Sequence, residues 1–180
     1  MEIPTLTFGN FVLRAFTEHD VEPLRILHSD PDIMRYLSAS GEPEKHARDA
    51  WNYISLHLGH WHLKGYGKWA LADSVTHQLI GRVGYFNPPY DWPGLELGWT
   101  ISKEHWGKGI ARQAAQVALD WGMNNLRPPE IISAIIEGNY RSVRVAERLH
   151  MQLHRHTVLQ GRRCEIYAIT KDVWHQTRND

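Results

Sequence analysis

The chain has 180 residues, of which 42% are apolar and 22% charged, with twenty Lys and Arg offset by twenty Asp and Glu. These values lie close to the averages of soluble globular chains and exclude fibrous and disordered classes. A formal charge of zero removes the bulk attraction to phosphate backbones that nucleic-acid binders rely on, so no nucleic-acid partner is expected and any anion must be held locally. The length suits one domain over 1–180 with a core that needs no disulfide or metal. The single cysteine, Cys164, has no internal partner, and Met1-Glu2-Ile3-Pro4-Thr5 lacks the basic and apolar regions of a secretory signal, so a cytoplasmic setting is expected. No apolar run approaches the roughly 20 residues that cross a bilayer, so no membrane partner is expected.

In chain order, Thr5 to Arg14 reads as two short alternating runs joined at Gly9-Asn10, a hairpin. Thr17, with Glu18 and Asp20 behind it, opens a helix carrying Val21, Leu24, Ile26 and Leu27 to about His28. Ser29 to Asp32 stops it and starts a short second helix through Met34 and Leu37. After a loop from Ser38 to Pro43, Pro43-Glu44 opens a longer helix in which Ala47, Trp51, Ile54 and Leu58 share one face, ending near Leu63. The period then changes to two: Lys68–Ala72 and Gln78–Phe86 read as adjacent antiparallel strands. The loop Asn87 to Gly94, rich in prolines and aromatics, borders the next strand, Leu95–Ile101. His105 to Ile110 leads into a helix through Ala114, Val117, Ala118 and Trp121. Pro128-Pro129 ends it, and Glu130–Ile136 reads as a strand buried on both faces. Gly138-Asn139 opens a helix with Val143, Val145, Ala146 and Leu149, and Met151–Thr157 with Arg163–Thr170 form a last hairpin turning at Gln160-Gly161.

Strand, glycine loop and helix in that order form a site for an anion. Around Trp106-Gly107-Lys108-Gly109-Ile110-Ala111 the glycines admit a ligand to the backbone, and the helix directs unpaired amides and its positive end at it. Lys108 and Arg112 could add side-chain charge. Glycines one residue apart also serve ordinary strand-to-helix turns. A P-loop lacks its Lys-Ser/Thr ending here, and a dinucleotide site lacks its third glycine.

The loop resembles the acetyl-CoA loop of the GNAT superfamily of N-acetyltransferases, Gln/Arg-x-x-Gly-x-Gly/Ala, with Gly109 and Ala111 at the matching positions. Trp106 stands where that pattern has Gln or Arg, which resembles the branch containing the ribosomal-protein N-terminal acetyltransferases. Glu96-x-Gly98-Trp99 before the loop and Asn139-x-x-Ser142-x-x-Val145-x-Glu147-Arg148-Leu149 after it are also similar, although His150-Met151 replaces the usual Gly-Phe. The resemblance covers nearly the whole chain. It implies an α/β GNAT fold: a mixed, mostly antiparallel sheet of about seven strands with helices on both faces, in which the strands at 95–101 and 130–136 run parallel and part at their ends. It further implies that backbone amides from Gly107 to Arg112, including Lys108, Gly109, Ile110 and Ala111, bind the pyrophosphate of acetyl-CoA beside Trp106. Trp99, Thr100 and Ile101 would pair with the pantetheine arm, Asn139 would bond to it, and Ser142 would lie near the sulfur. Asn139 and Ser142 read equally as caps of the helix that follows.

Acetyl transfer to an amine needs the free base, yet an alkylamine is mostly protonated at pH 7. Glu96 faces away from Leu95 and Leu97, which makes it the candidate general base, through water, or else an exposed or paired strand residue. Ser142 is the first candidate to assist the departing thiolate and Tyr140 the second; backbone amides of the central strand could polarise the carbonyl. None of this requires a metal. His57, His60 and His62, and His150, His154 and His156, have poor ligand spacing and read as surface or packing residues. Tyr36, Tyr90 and Trp92 fall in loops that bound the acceptor cleft in similar proteins, as substrate selectors or as loop anchors. The expected reaction is direct attack by a primary amine, a protein N-terminus or a small molecule, without an acetyl-enzyme at Cys164. The rival reading is an acyl-CoA-binding sensor or interaction module without catalysis. The family allows a homodimer, and no stretch compels one.

Overall fold

A computed structural model describes residues 2–178. Its eight strands are β1 (Leu6–Phe8), β2 (Phe11–Arg14), β3 (Lys68–Asp73), β4 (Leu79–Phe86), β5 (Glu96–Ile101), β6 (Glu130–Ile136), β7 (Gln152–Leu159) and β8 (Arg162–Thr170). The helices are α1 (Val21–His28), α2 (Pro31–Met34), α3 (Ala47–Lys64), α4 (Ile110–Asn125), α5 (Tyr140–Arg148) and α6 (Lys171–Gln176). The sheet runs β1-β2-β3-β4-β5-β6-β8-β7. The expected mixed, mostly antiparallel sheet is therefore present, with eight strands where about seven were expected.

β5 and β6 are the parallel neighbours, and their register holds one pair, Glu96 with Ile132, secured by the Ile132 amide donating to the Leu95 carbonyl at 3.0 Å. Beyond it the strands part. The Leu97 carbonyl accepts from the Ser133 hydroxyl at 2.6 Å, so a buried side chain satisfies a backbone group where the ladder stops.

Alternation sends the two faces of the sheet to different layers. Trp69, Leu71, Val83, Tyr85 and Leu97 pack in one core with Ala114, Ala118 and Leu119 of α4, Ala146 of α5 and Trp174 of α6. Gly122 of α4 allows the close approach there: a Cβ would stand 2.0 Å from the Tyr85 Oη, which donates to the Ala118 carbonyl at 2.8 Å. The opposite face, from Ala70 and Leu79, packs against Leu24, Leu27, Ala50 and Ile54 of α1 and α3. On that face Arg82 is registered to Thr100, Gly84 to both Lys68 and Gly98, and Phe86 to Glu96.

α3 begins at Ala47 instead of Pro43, because Glu44 is drawn to the end of α1: its amide donates to the His28 carbonyl at 3.0 Å and its carboxylate meets His28 Nδ1 at 2.9 Å. Its buried face is also rotated from the expected one, carrying Ala50, Ile54, His57 and Trp61, while Trp51 is 53% exposed. Trp61 is drawn inward by packing on Trp69 and by its indole N–H, which donates to the Lys68 carbonyl at 3.2 Å.

Candidate active site

Two connected hollows open where β5 and β6 separate. One, of about 440 Å³, runs along the end of β5, the loop 106–109, the start of α4 and one face of α5. The other, of about 350 Å³, lies under α1 and α3 on the Glu96 face of the sheet. Tyr36, Leu37, Trp99, Thr100, Asn139 and Ser142 line both, so the hollows meet at those residues.

In the larger groove, Gly107 and Gly109 both have φ of +75°, a conformation that favours glycine, and a Cβ on Gly107 would meet nothing within 4 Å. Gly109 is the N-cap of α4 and offers no side-chain cap, and the first turn holds no acidic residue. The leading amides of α4 therefore remain without side-chain partners at the helix's positive end. Trp106 anchors the loop: its indole N–H donates to the Ile101 carbonyl at 2.8 Å, and the Arg141 guanidinium lies 4.1 Å from its ring centroid. Ile101, Ile110, Ala111 and Arg112 line the groove. Lys108, between the two glycines, is exposed and lines neither hollow. Arg141, Arg144 and Arg148 of α5, which helical spacing sets on one side of that helix, line the groove beside Arg112.

At the junction, Asn139 is the N-cap of α5 and its Oδ1 accepts from the Ser142 amide at 3.3 Å. The capping reading of Asn139 thus holds, and it leaves the side-chain amide nitrogen of Asn139 and the Ser142 hydroxyl without hydrogen-bond partners among the described residues. Thr100 is buried on the Glu96 face, and its Oγ1 has no hydrogen-bond partner among the described residues. Tyr140 is 71% exposed and lines neither hollow. Tyr36 lines both and donates to the Gly138 carbonyl at 3.3 Å, whereas Tyr90 is exposed and lines neither. Cys164 lies buried on β8, also outside both hollows, and burial pushes its thiol up.

In the smaller cavity Glu96 faces away from the buried Leu97, as alternation requires, and its Oε2 accepts from the Trp92 indole at 3.0 Å. Removal from water pushes its carboxyl above the ordinary value, while Lys68, Trp92 and Arg82 pull it back in part. Lys68 is 7% exposed, and a Cβ on Gly98 would stand 2.6 Å from its Nζ and 3.4 Å from Glu96 Oε1, so both groups crowd the space over that glycine. Burial lowers the Lys68 ammonium to about 8, with Glu96 opposing and Arg82 reinforcing the shift.

Arg82, equally buried, donates from Nε to His28 Nε2 at 3.2 Å and from Nη1 to the Tyr53 hydroxyl, and its guanidinium lies 4.4 Å from the Tyr53 ring centroid. A guanidinium can only donate, so His28 Nε2 must be unprotonated and the proton on Nδ1 goes to Glu44. The lowered pKa of His28, from burial first and opposed by Glu44, agrees with this tautomer. Sequence reading overlooked Lys68, Arg82, His28, Glu44 and Tyr53 as site residues. Their signal lay in Lys68 and Arg82, cations set inside otherwise apolar strand runs.

His57 and His60 are buried within aromatic clusters, His57 4.4 Å from Tyr53 and His60 5.1 Å from Phe86, and His57 also lines the smaller cavity, while His62, His150, His154 and His156 are exposed. Among the described residues no group of three or more His, Cys, Asp or Glu side chains is arranged to hold a metal ion, and no helix is long and apolar enough to cross a membrane.

Residues 10–152 match the model of the acetyltransferase (GNAT) domain. The uncharacterized protein YkkB of Bacillus subtilis (strain 168) is 32% identical over 143 residues, 77% of this chain and 80% of that protein. The acetyltransferase from Agrobacterium tumefaciens str. C58 superposes with a TM-score of 0.81 at 27% identity, over 94% of this chain and 95% of that one. The spermidine N-acetyltransferase from Vibrio cholerae, solved in complex with CoA and spermine, has a TM-score of 0.73 at 23% identity, covering 92% and 98% of the two chains, and shares the fold. A family match over most of the chain, on a sheet that parts beside a glycine loop and a helix start, makes this chain a GNAT-family acetyltransferase.

Proposed function

We propose that the chain transfers the acetyl group of acetyl-CoA to a primary amine held in the smaller cavity, by direct attack, with Glu96 as general base and Ser142 assisting the sulfur. The observation that carries this reading is that groove and cavity meet at Trp99, Thr100, Asn139 and Ser142, with Glu96 on the cavity side. The residues of the groove suit acetyl-CoA: uncapped amides at the start of α4 and four arginines suit its phosphates, and the unpartnered Thr100 hydroxyl and Asn139 amide suit its pantetheine arm. Bound there, acetyl-CoA supplies an activated acyl group as its thioester.

The remaining chemistry falls to the protein. Removal from water in the cavity disfavours the charged form of an incoming amine, which lowers its pKa and favours the free base. Glu96 Oε1, left without a hydrogen-bond partner while Trp92 holds Oε2, takes the proton. Its raised pKa strengthens it as a base relative to an ordinary surface carboxylate. The Ser142 hydroxyl, at the junction, donates toward the leaving sulfur.

The test is free-thiol release by purified protein with acetyl-CoA over a panel of amines and N-terminal peptides, beside calorimetric titration with acetyl-CoA. Glu96→Gln is expected to lower kcat by about 100-fold or more while the affinity for acetyl-CoA stays within about twofold. Unchanged turnover in that variant would remove Glu96 from the reaction. Binding of acetyl-CoA without turnover of any amine would point to a sensor.

A further inference from the structure

Lys68 and Arg82 are each more than nine-tenths buried, yet their charges are incompletely matched by protein. Lys68 Nζ makes no hydrogen bond or ion pair among the described residues, and Arg82 commits Nε and Nη1 to His28 and Tyr53 but leaves Nη2 without a partner. The carboxylates nearby do not satisfy them. Glu44 is spent on His28, and Glu96 gives Oε2 to Trp92 and balances Lys68 only through space, its Oε1 making no hydrogen bond or ion pair with either cation among the described residues. Neither Lys68 Nζ nor Arg82 Nη2 is sealed away from water: both open onto the cavity their side chains line, where an anionic ligand can supply the acceptors. The cations are also held in place: the Glu44–His28–Arg82 chain and the Tyr53 ring fix the guanidinium, and Gly98 leaves the sheet open beneath the Lys68 amine. A cavity of about 350 Å³ has room for one small molecule.

Building on the acetyl-transfer reading, we infer that the acceptor is a small amine that also carries an anionic group, a carboxylate or a phosphoryl group, held by Lys68 and Arg82 while its amine lies toward Glu96. The opposite charges of such an acceptor match the cavity: its ammonium meets the carboxylate and its acid meets the two cations. A polyamine would set further positive charges against Lys68 and Arg82 away from bulk water, where repulsion is weakly screened. An amine without an acid would leave both cations unmatched.

The test uses the full chain saturated with acetyl-CoA for kinetics and with CoA for calorimetry. The acceptors are matched pairs, alanine with alaninamide and 2-aminoethyl phosphate with ethanolamine, together with spermidine. The acid-bearing member of at least one pair is expected to exceed its anion-free partner in kcat/KM by about 100-fold. In Lys68→Met, and separately in Arg82→Met, that ratio is expected to fall to within about threefold. Retained CoA affinity reports folding, and because the readout is a ratio, a general loss of activity does not imitate the effect. The carboxylate and phosphoryl arms distinguish the two anions.

Spermidine or the anion-free amines turned over as well as the acids, or a ratio unchanged in both variants, would overturn the inference while leaving acetyl transfer standing. Thiol release from none of the amines would count against acetyl transfer itself. In that case, calorimetric binding of an acid-bearing amine that is lost in Lys68→Met would still uphold the anion site, and absence of such binding would overturn it.

Discussion

At the scale of single residues, the site depends on what Gly98 lacks. The Lys68 amine lies over Gly98, in space that a side chain at that position would fill. Gly98→Ala places a methyl group 2.6 Å from Nζ and 3.4 Å from Glu96 Oε1. The first atom it meets is the free end of a flexible side chain, and the backbone at Gly98 lies outside the left-handed region, so the fold can accept the change. The methyl group then acts on the amine and carboxylate positions. Steady-state kinetics are expected to show the acceptor KM rising about tenfold or more, the acetyl-CoA KM within about twofold, and a melting temperature within a few degrees of the parent. An equal rise in both KM values would mean that Lys68 and Glu96 do not stand on the acceptor side. Glu96 was legible in the sequence because one charged residue between two leucines on a strand has a defined face. Lys68 and Arg82 carry the same kind of signal, but only the register of β3, β4 and β5 brings them to the Glu96 face, and register is a long-range property.

At the scale of elements, α5 combines two functions that its sequence displays separately. Its apolar positions, Val143, Val145, Ala146 and Leu149, pack toward the core and made the helix readable from spacing alone. Its arginines at 141, 144 and 148 share the other readable spacing and face the groove. They were overlooked because a charged stripe on a helix is ordinarily a solvated face, and only the placement of α5 beside the α4 N-terminus distinguishes this one. Arg141 also packs on Trp106, so Arg144 and Arg148 give the cleaner test. The double variant Arg144→Ala/Arg148→Ala is expected to weaken CoA binding by about tenfold at low salt, with a smaller difference near 1 M salt, measured by calorimetry. A loss independent of salt would assign them a packing role. The start of α3 was misread for a related reason: Glu44 has good helix propensity, but its bonds to the end of α1 hold residues 43–46 outside the helix, and that contact spans sixteen positions.

At the scale of the whole molecule, the two hairpins, the antiparallel pair β3–β4 and the parallel pair β5–β6 were legible, through alternation and through the resemblance, while the placement of β8 between β6 and β7 and the energetic cost of the cavity were not. That cost is concentrated at Lys68, whose ammonium is lowered by burial from 10.5 to about 8. A shift of this size corresponds to about 3 kcal/mol of destabilisation at pH 7, as an upper bound. The sign follows from proton counts. Between pH 8 and 10.5 the unfolded chain keeps a proton on Lys68 that the folded chain has released, so the unfolded state binds more protons and stability rises with pH through that window as far as this group is concerned. Below pH 8 both states are protonated and the penalty is present in full. Lys68→Met removes the group from both states, and it also deprives Glu96 of the cation that most lowers its pKa, which offsets part of the gain. At pH 7 the variant is therefore expected to melt above the parent, by about 2–4 °C for each kcal/mol released in a chain of this size. The difference should shrink as pH rises from 8 toward 10.5, where the parent's lysine is neutral as well. Thermal melts of the two proteins at pH 7, 8.5 and 10 decide the point: a narrowing gap identifies the Lys68 ammonium as a cost that the fold carries for its site, and a gap that stays constant with pH assigns the change to packing alone.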